Sequence, residues 1–138
     1  MSIHCAVSLG ELIDKITILE IKKEKIKDEK KLFFIEIELG ELSKTLQSIN
    51  ITERDKLSTL KEKLKTVNLE LWEIEDKIRE KEKVKSFDQE FIDLARSVYQ
   101  KNDLRFEHKN EINISFNSGI REIKSYNKYW RQSSISLQ

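Results

Sequence analysis

The chain has no proline and only three glycines among its 138 residues, so few positions can interrupt a regular backbone. Long helices require such a composition, whereas all-β and α/β domains need more turn residues. A chain of this length is within the range of one domain, and its 38% hydrophobic content is enough for a core. The scarcity of backbone breakers therefore favours a single all-α domain.

The chain also lacks a second cysteine and a long apolar run. Cys5 cannot form an internal disulfide, which favours a reducing compartment, and a lone cysteine is most often a small buried residue. The opening "MSIHCAVSLGELIDK" has no basic segment followed by an apolar one, and nowhere do 18 apolar residues follow one another. We therefore expect a soluble cytoplasmic protein that does not bind membranes.

Neither sign of charge is in excess. Lys and Arg total 26 and Asp and Glu total 25, which leaves a net charge of +1. Dedicated nucleic-acid-binding proteins usually carry a strong basic excess. We therefore do not expect nucleic acid to be the partner.

Complete signatures of catalysis or metal binding are missing as well. There is no Gly-rich phosphate loop, and His4 and His108 have no further ligand at metal-binding spacing. The segments "ELWE" (70–73) and "EFID" (90–93) resemble the paired acidic motifs of all-α nucleotide pyrophosphohydrolases. Leu69 stands where that family has an additional Glu, and two such matches are expected by chance in a chain this acidic. The sequence therefore predicts no catalytic residue, metal or cofactor.

The sequence does contain strong helical periodicity. A first helix is predicted after Ser8, where Ser8 and Glu11 form a capping-box pattern, and its apolar positions recur through Leu19. The pattern thins across "KKEKIKDEKK" and then resumes. Asp28 is a plausible N-cap for a second helix, and an unbroken helix to Ser48 is the alternative.

A long helix is predicted from a cap at Thr52 to Lys83. Its apolar residues alternate steps of three and four in a coiled-coil-like seam formed by Leu57, Leu60, Leu64, Val67, Leu71, Ile74 and Ile78. A helix of this length needs a partner, and the helix before it is the obvious one if the two pack antiparallel. The seam also predicts a homodimer or binding to a helix of another protein.

A further helix is predicted from a capping box at Ser86, followed by an extended or looped stretch at "INISF" (112–116). A last short helix, capped at Asn117 or Ser118, would extend through Trp130. The predicted fold is thus an all-α domain over residues 1–131, built on a long antiparallel helical hairpin with a third packed helix and a short C-terminal helix. Residues 132–138 are predicted to form a flexible tail.

The stretch "YQKNDLRFEHKNEIN" (99–113) has polar residues at positions where the helical spacing predicts apolar ones. The apolar stripe that begins with Phe91 and Val98 continues as Asn102, Arg105 and Lys109. A buried polar group without a partner costs about 1 to 3 kcal/mol, and a buried charge costs more. These side chains therefore either reach solvent or meet polar partners from other helices.

Two interpretations follow. The polar groups could pair with one another as an internal ion network, with the end of the helix solvated. Alternatively, they could line a pocket between helices for an anionic or polyhydroxylated ligand, in which Arg side chains bind phosphate or carboxylate. The candidate ligand-binding residues of that pocket are Asp14, Lys15, Glu20, Trp72, Asp76, Arg79, Arg96, Tyr99, Asn102, Asp103, Arg105, Lys109 and Asn113.

Four blocks carry a resemblance to a known family: "SLGELIDKITILEIK" (8–22), "LWEIEDKIREKE" (71–82), "FIDLARSVYQKNDLRFEHKNEIN" (91–113) and "EIKSY" (122–126). The chain resembles an uncharacterised domain-of-unknown-function family of bacteria and some phages. The resemblance implies no activity and transfers no catalytic residue. Members often have a proline just after the position of Asp28, which favours a break there, but Glu29 occupies that place in this chain.

Two functions of different classes remain open at the level of the sequence. The first is a small helical binding or accessory module that acts through its hairpin and its polar pocket. The second is a small all-α enzyme that acts on an anionic metabolite such as a sugar phosphate or a nucleotide. The absence of a catalytic signature favours the module.

Overall fold

The computed structural model describes residues 1–126, and these contain four α-helices. They are α1 (Leu9–Lys25), α2 (Glu29–Ser48), α3 (Arg54–Lys83) and α4 (Gln89–Ser115). No strand occurs among the described residues, so the predicted all-α class is confirmed. The predicted tail, 132–138, and the end of the predicted last helix, 127–130, lie outside these residues.

Side-chain caps fix three of the four helix starts. The Ser8 hydroxyl accepts a hydrogen bond from the backbone N–H of Glu11 at 3.0 Å and caps α1 as predicted. The carboxylate of Asp28 accepts from the N–H of Lys31 at 3.0 Å and caps α2. The predicted break at Asp28 is therefore confirmed, and the alternative of an unbroken helix to Ser48 is wrong.

Two predicted caps are displaced by one or two residues. Glu53, rather than Thr52, precedes α3, and its side chain makes no capping hydrogen bond. Asp88, rather than Ser86, caps α4 by accepting from the N–H of Phe91 at 3.0 Å. A carboxylate is as good an N-cap as a hydroxyl, and "SFDQ" contains both, so its pattern did not distinguish them.

The C-terminal end of α4 differs more from the prediction. The "INISF" stretch is not extended, because α4 continues through Ser115 and buries Ile112 and Asn113. The chain then turns at Asn117, whose φ is 53°, and the Ser118 hydroxyl accepts from the N–H of Leu9 at 3.2 Å. Residues 119–126 are not helical. The predicted short C-terminal helix therefore does not include them.

Helices α3 and α4 form the long antiparallel hairpin, joined through residues 84–88. Ion pairs near both ends show the direction: Lys81 contacts Glu90 at 2.9 Å, and Lys63 contacts Glu111 at 3.8 Å. The prediction had paired α3 with the helix before it. That helix, α2, instead folds back onto α1 after a turn of only three residues, and α1 packs against all three other helices.

Burial divides the hairpin into two parts. In the proximal half, defined as residues 54–71 of α3 and 101–115 of α4, the seam from Leu57 to Leu71 is buried. Part of that seam forms a cluster with Ile13 of α1 and Ile112 of α4. In the distal half, defined as residues 72–83 and 89–100, no residue is buried. Helix α1 covers only the proximal half.

Candidate functional site

The polar stripe of α4 meets the carboxylates of α1 in the proximal half. Asp14, only 1% exposed, accepts two hydrogen bonds from the guanidinium of Arg105: Nε to Oδ1 at 2.9 Å and Nη2 to Oδ2 at 2.5 Å. These two hydrogen bonds to Asp14 raise the pKa of Arg105, although burial opposes the shift. Asn68 of α3 donates to the same carboxylate at 2.9 Å. The buried carboxylate of Asp14 on α1 therefore accepts hydrogen bonds from both α3 and α4.

A second ion pair lies one helical turn further along α4. The Nζ of Lys109, a buried residue, is 2.7 Å from Oε2 of Glu11 and 2.9 Å from Oε2 of Glu122. Burial lowers the pKa of Lys109, but the two carboxylates more than offset that effect and raise it. Glu122 also contacts Lys124 at 2.7 Å. The segment after α4 is thereby tied to α1 and α4 through Lys109.

Helix α1 lies close to α4 at Gly10. Its N–H donates to Oδ1 of Asn113 at 2.7 Å, and Asn113 is 1% exposed. A Cβ atom at Gly10 would lie only 2.4 Å from the backbone oxygen of Lys109, so only glycine fits this contact. Asn113 therefore holds the two helices together and does not face an open cavity.

A cavity of about 550 Å³ opens beside these ion pairs, between α4, the start of α1 and the segment 122–126. Its wall comprises Glu11, Val98, Tyr99, Asn102, Asp103, Arg105, Phe106, Lys109, Glu122, Lys124 and Tyr126. Tyr126 is hydrogen-bonded to Asp103; burial, together with this carboxylate, raises its pKa to about 12. Lys124 lies over the ring of Phe106, 5.8 Å from its centre.

The charges on the cavity wall are balanced. Three carboxylates, from Glu11, Asp103 and Glu122, and three cations, from Arg105, Lys109 and Lys124, line it, so their sum is zero. Asp14 lies behind Arg105 and adds one negative charge next to the wall. The cavity is therefore polar without attracting anions through a net positive charge.

Seven of the thirteen predicted site residues lie at this cluster or line its cavity: Asp14, Tyr99, Asn102, Asp103, Arg105, Lys109 and Asn113. The inward orientation predicted for Arg105 and Lys109 is confirmed, since both contact carboxylates from outside α4. The network interpretation and the pocket interpretation therefore describe the same place. The ion pairs form one wall of the cavity.

The other six predicted residues lie elsewhere. Lys15 is exposed on α1, and Glu20 contacts Lys61 and Lys65 of α3 on another side of α1. Four lie in the distal half, away from α1, namely Trp72, Asp76, Arg79 and Arg96. Arg79 pairs with Glu75 and Asp76 on its own helix, where solvent screens the charges. The structure does not bring these four residues to the cavity, because α1 packs on the proximal half of the hairpin.

Sequence reasoning missed the supporting Asn68 and six cavity-lining residues: Glu11, Val98, Phe106, Glu122, Lys124 and Tyr126. Glu11 had a signal that was interpreted otherwise: it was assigned to the capping box, yet its carboxylate binds Lys109. Glu11 and Asp14 are three residues apart and so share one face of α1. That pair of acidic residues, beside the apolar positions of α1, was the signal that could have identified the partners of the α4 cations.

Three further observations bear on function. Cys5 is exposed, so the expectation that it is buried was wrong; it lies in the non-helical segment before α1. Within residues 1–126, no group of three or more His, Cys, Asp or Glu side chains could hold a metal ion. No helix in that part of the chain is both long and apolar enough to cross a lipid bilayer.

Comparison with known proteins gives a family and no activity. No curated protein and no solved structure matches the chain. One family model matches residues 3–138, which is nearly the whole chain, and it describes a family of unknown function. The chain therefore belongs to the family of unknown function DUF6165.

Proposed function

We propose that the protein is a small helical binding module whose cavity takes a neutral polyhydroxylated ligand, such as a sugar. The observation that carries this proposal is the charge balance of the wall, where each lining cation contacts a carboxylate or lies beside one. A hydroxyl group both donates and accepts hydrogen bonds. Such groups match a wall on which ammonium and carboxylate groups alternate.

The remainder of the wall fits the same class of ligand. Tyr99, Phe106 and Tyr126 contribute rings, and Asn102 contributes an amide. Small-molecule sites typically combine apolar and aromatic surface with a few placed polar groups that orient the ligand. A sugar ring offers two apolar faces and a polar rim, and it could use both parts of this wall.

Anionic ligands fit less well. The guanidinium fork of Arg105 is occupied by Asp14, and Lys109 lies between two carboxylates, so an anion would have to displace an existing partner. Two of the predicted anion donors, Arg79 and Arg96, lie outside the cavity. These contacts weigh against the alternative of an enzyme for sugar phosphates or nucleotides.

Thermal-shift measurements on the full chain would test the proposal. We expect neutral mono- and disaccharides to raise the melting temperature, while sugar phosphates, nucleotides and carboxylates do not. A ligand at 100 times its dissociation constant stabilises the folded state by about 2.7 kcal/mol, which such a scan detects readily. A response confined to phosphorylated or carboxylated compounds would contradict the proposal.

Two variants place the binding event in the cavity. Asn102→Ala removes an amide from the wall, and we expect it to abolish most of the sugar-induced shift without unfolding the protein. Arg96→Ala is the matched control, because Arg96 is exposed on the same helix but outside the cavity. Equal loss of the shift in both variants would place the ligand elsewhere. We further propose that the module works in the cytoplasm of a bacterium or of a phage-infected cell.

A further inference from the structure

Helix α2 has two apolar faces, and residues 1–126 cover only one of them. Its inward face packs on α1 through Leu32, Ile35, Leu39, Leu42 and Leu46, which are buried or half-buried. Its outward face exposes Phe33, Phe34 and Ile37, at 60%, 69% and 50% of their surfaces. The rings of Phe33 and Phe34 contact each other edge to face, 5.4 Å apart. Three large apolar side chains are thus exposed together on one helix.

The outward face continues along the whole helix. Steps of three and four residues connect Lys30, Phe33, Phe34, Ile37, Gly40, Glu41 and Lys44, so these positions share one side of α2. Gly40 has no atom within 4 Å of the place where a Cβ would stand, so its backbone is open to a neighbour. A glycine at this position lets another helix approach closely.

We infer that this outward face is the interface of a homodimer, in which α2 of one copy packs antiparallel against α2 of a second copy. The charged residues on this face indicate that the partner is a second copy of the chain. In an antiparallel pair of identical helices, the residue numbers of facing positions have a constant sum. The pair Phe34 and Ile37 has the same sum as the pair Lys30 and Glu41, so an arrangement that sets Phe34 against Ile37 also sets Lys30 against Glu41. Two-fold symmetry then produces each of these contacts twice.

Other arrangements of the same face are disfavoured. A parallel pair would place Lys30 against Lys30 and Glu41 against Glu41, which are like-charge contacts. An anionic lipid surface would be attracted by Lys30 and Lys44 but repelled by Glu41 and the neighbouring Glu38, both exposed. The seam of α3 is not available for dimerisation, because its residues from Leu57 to Leu71 are buried within the chain.

Sedimentation velocity over a range of protein concentrations tests the inference on the full chain. We expect a reversible dimer for the natural sequence. Lys30→Glu and Glu41→Lys should each raise the dimer dissociation constant about tenfold, because either change creates two like-charge contacts. Combining both changes restores opposite charges at each contact, and we expect the double variant to regain the dimer affinity of the natural protein.

Lys25→Glu is the matched control. It makes the same change in net charge at an exposed position of α1 rather than on α2, and should leave the dissociation constant unchanged. Phe34→Ser removes an exposed ring and should yield a folded monomer, with its helical circular dichroism intact.

Three outcomes would overturn the inference. The first is a monomer of the natural protein at every concentration. The second is a dimer that the α2 variants leave unchanged. The third is a monomer that binds phosphatidylserine vesicles and loses that binding on Phe34→Ser, which would make the outward face a membrane contact. None of these outcomes bears on the cavity, which α2 does not line.

Discussion

The two halves of the α3–α4 hairpin have similar compositions but different environments. Both halves carry apolar residues at helical spacing and charged residues beside them. In the proximal half Arg105 and Lys109 of α4 turn inward, because α1 presents Asp14 and Glu11 to them. In the distal half the charges pair near solvent, either along one helix, as Arg79 does with Glu75, or across the hairpin, as Lys81 does with Glu90. Whether a polar side chain of the hairpin is held in an interhelical ion pair with α1 therefore depends on whether α1 packs over it.

The largest expected effect distinguishes the two halves by their apolar seam. Leu64 is fully buried in the proximal half, whereas Ile78 in the distal half is only half-buried. We expect Leu64→Ala to lower the free energy of unfolding by about 4 kcal/mol. Ile78→Ala should lower it by about 1 kcal/mol, since a half-exposed side chain loses less burial. Urea unfolding at low protein concentration measures both, and equal losses would refute the division of the hairpin.

Two arginines extend the comparison to charge. The side chain of Arg105 is 29% exposed and holds the buried Asp14, whereas that of Arg79 is 69% exposed. We expect Arg105→Met to lower the free energy of unfolding by about 3 kcal/mol, because it leaves a carboxylate buried without its main partner. Arg79→Met should change it by less than about 0.5 kcal/mol. A small effect at Arg105 would mean that Asp14 finds another partner.

Gly10 tests the contact that positions α1 over the proximal half. An added methyl group would clash with the backbone of Lys109, and backbone atoms cannot move aside cheaply. We expect Gly10→Ala to cost about 2 kcal/mol in urea unfolding. Gly40→Ala is the control on α2, where space is open, and should stabilise the monomer by about 0.5 to 1 kcal/mol. A neutral Gly10→Ala variant would indicate that α1 lies further from α4.

The smallest expected effect concerns pH. Burial, aided by Lys63, lowers the pKa of His108 below its ordinary value of 6.5, although Glu111 opposes the shift. Because the folded state then favours the neutral imidazole, His108 contributes stability above pH 6.5 that is lost as the pH falls through the folded-state pKa. We expect His108→Gln to lose less stability between pH 7 and pH 5 than the natural protein does. Identical losses would contradict this assignment.

Much of the fold follows from periodicity, and much of the site does not. The stripe of α1, the seam of α3 and the break at Asp28 are visible in the sequence because helical spacing and caps are local signals. The pairing of α3 with α4 was missed, since an apolar seam predicts burial without naming the helix that covers it.

The site shows the same limit. The inward orientation of Arg105 and Lys109 followed from continuing an apolar stripe. Trp72 and Arg79, chosen because they lie on a face beside the α3 seam, are in the distal half, where no residue of the two helices is buried. Glu122 was missed because its position depends on the non-helical turn after α4, which no periodic pattern encodes. Local patterns therefore predicted which side chains face inward but not which elements meet them.

A double-mutant cycle between Asp14 and Arg105 tests most directly the claim that α1 creates the site by holding the α4 cations. The free energy of unfolding is measured for the natural protein, Asp14→Asn, Arg105→Met and the double variant. We predict a coupling energy of about 2 kcal/mol between the two positions, because each residue is the principal partner of the other in a buried pair. Additive effects, within about 0.5 kcal/mol, would show that the two side chains do not depend on each other and would contradict the claim.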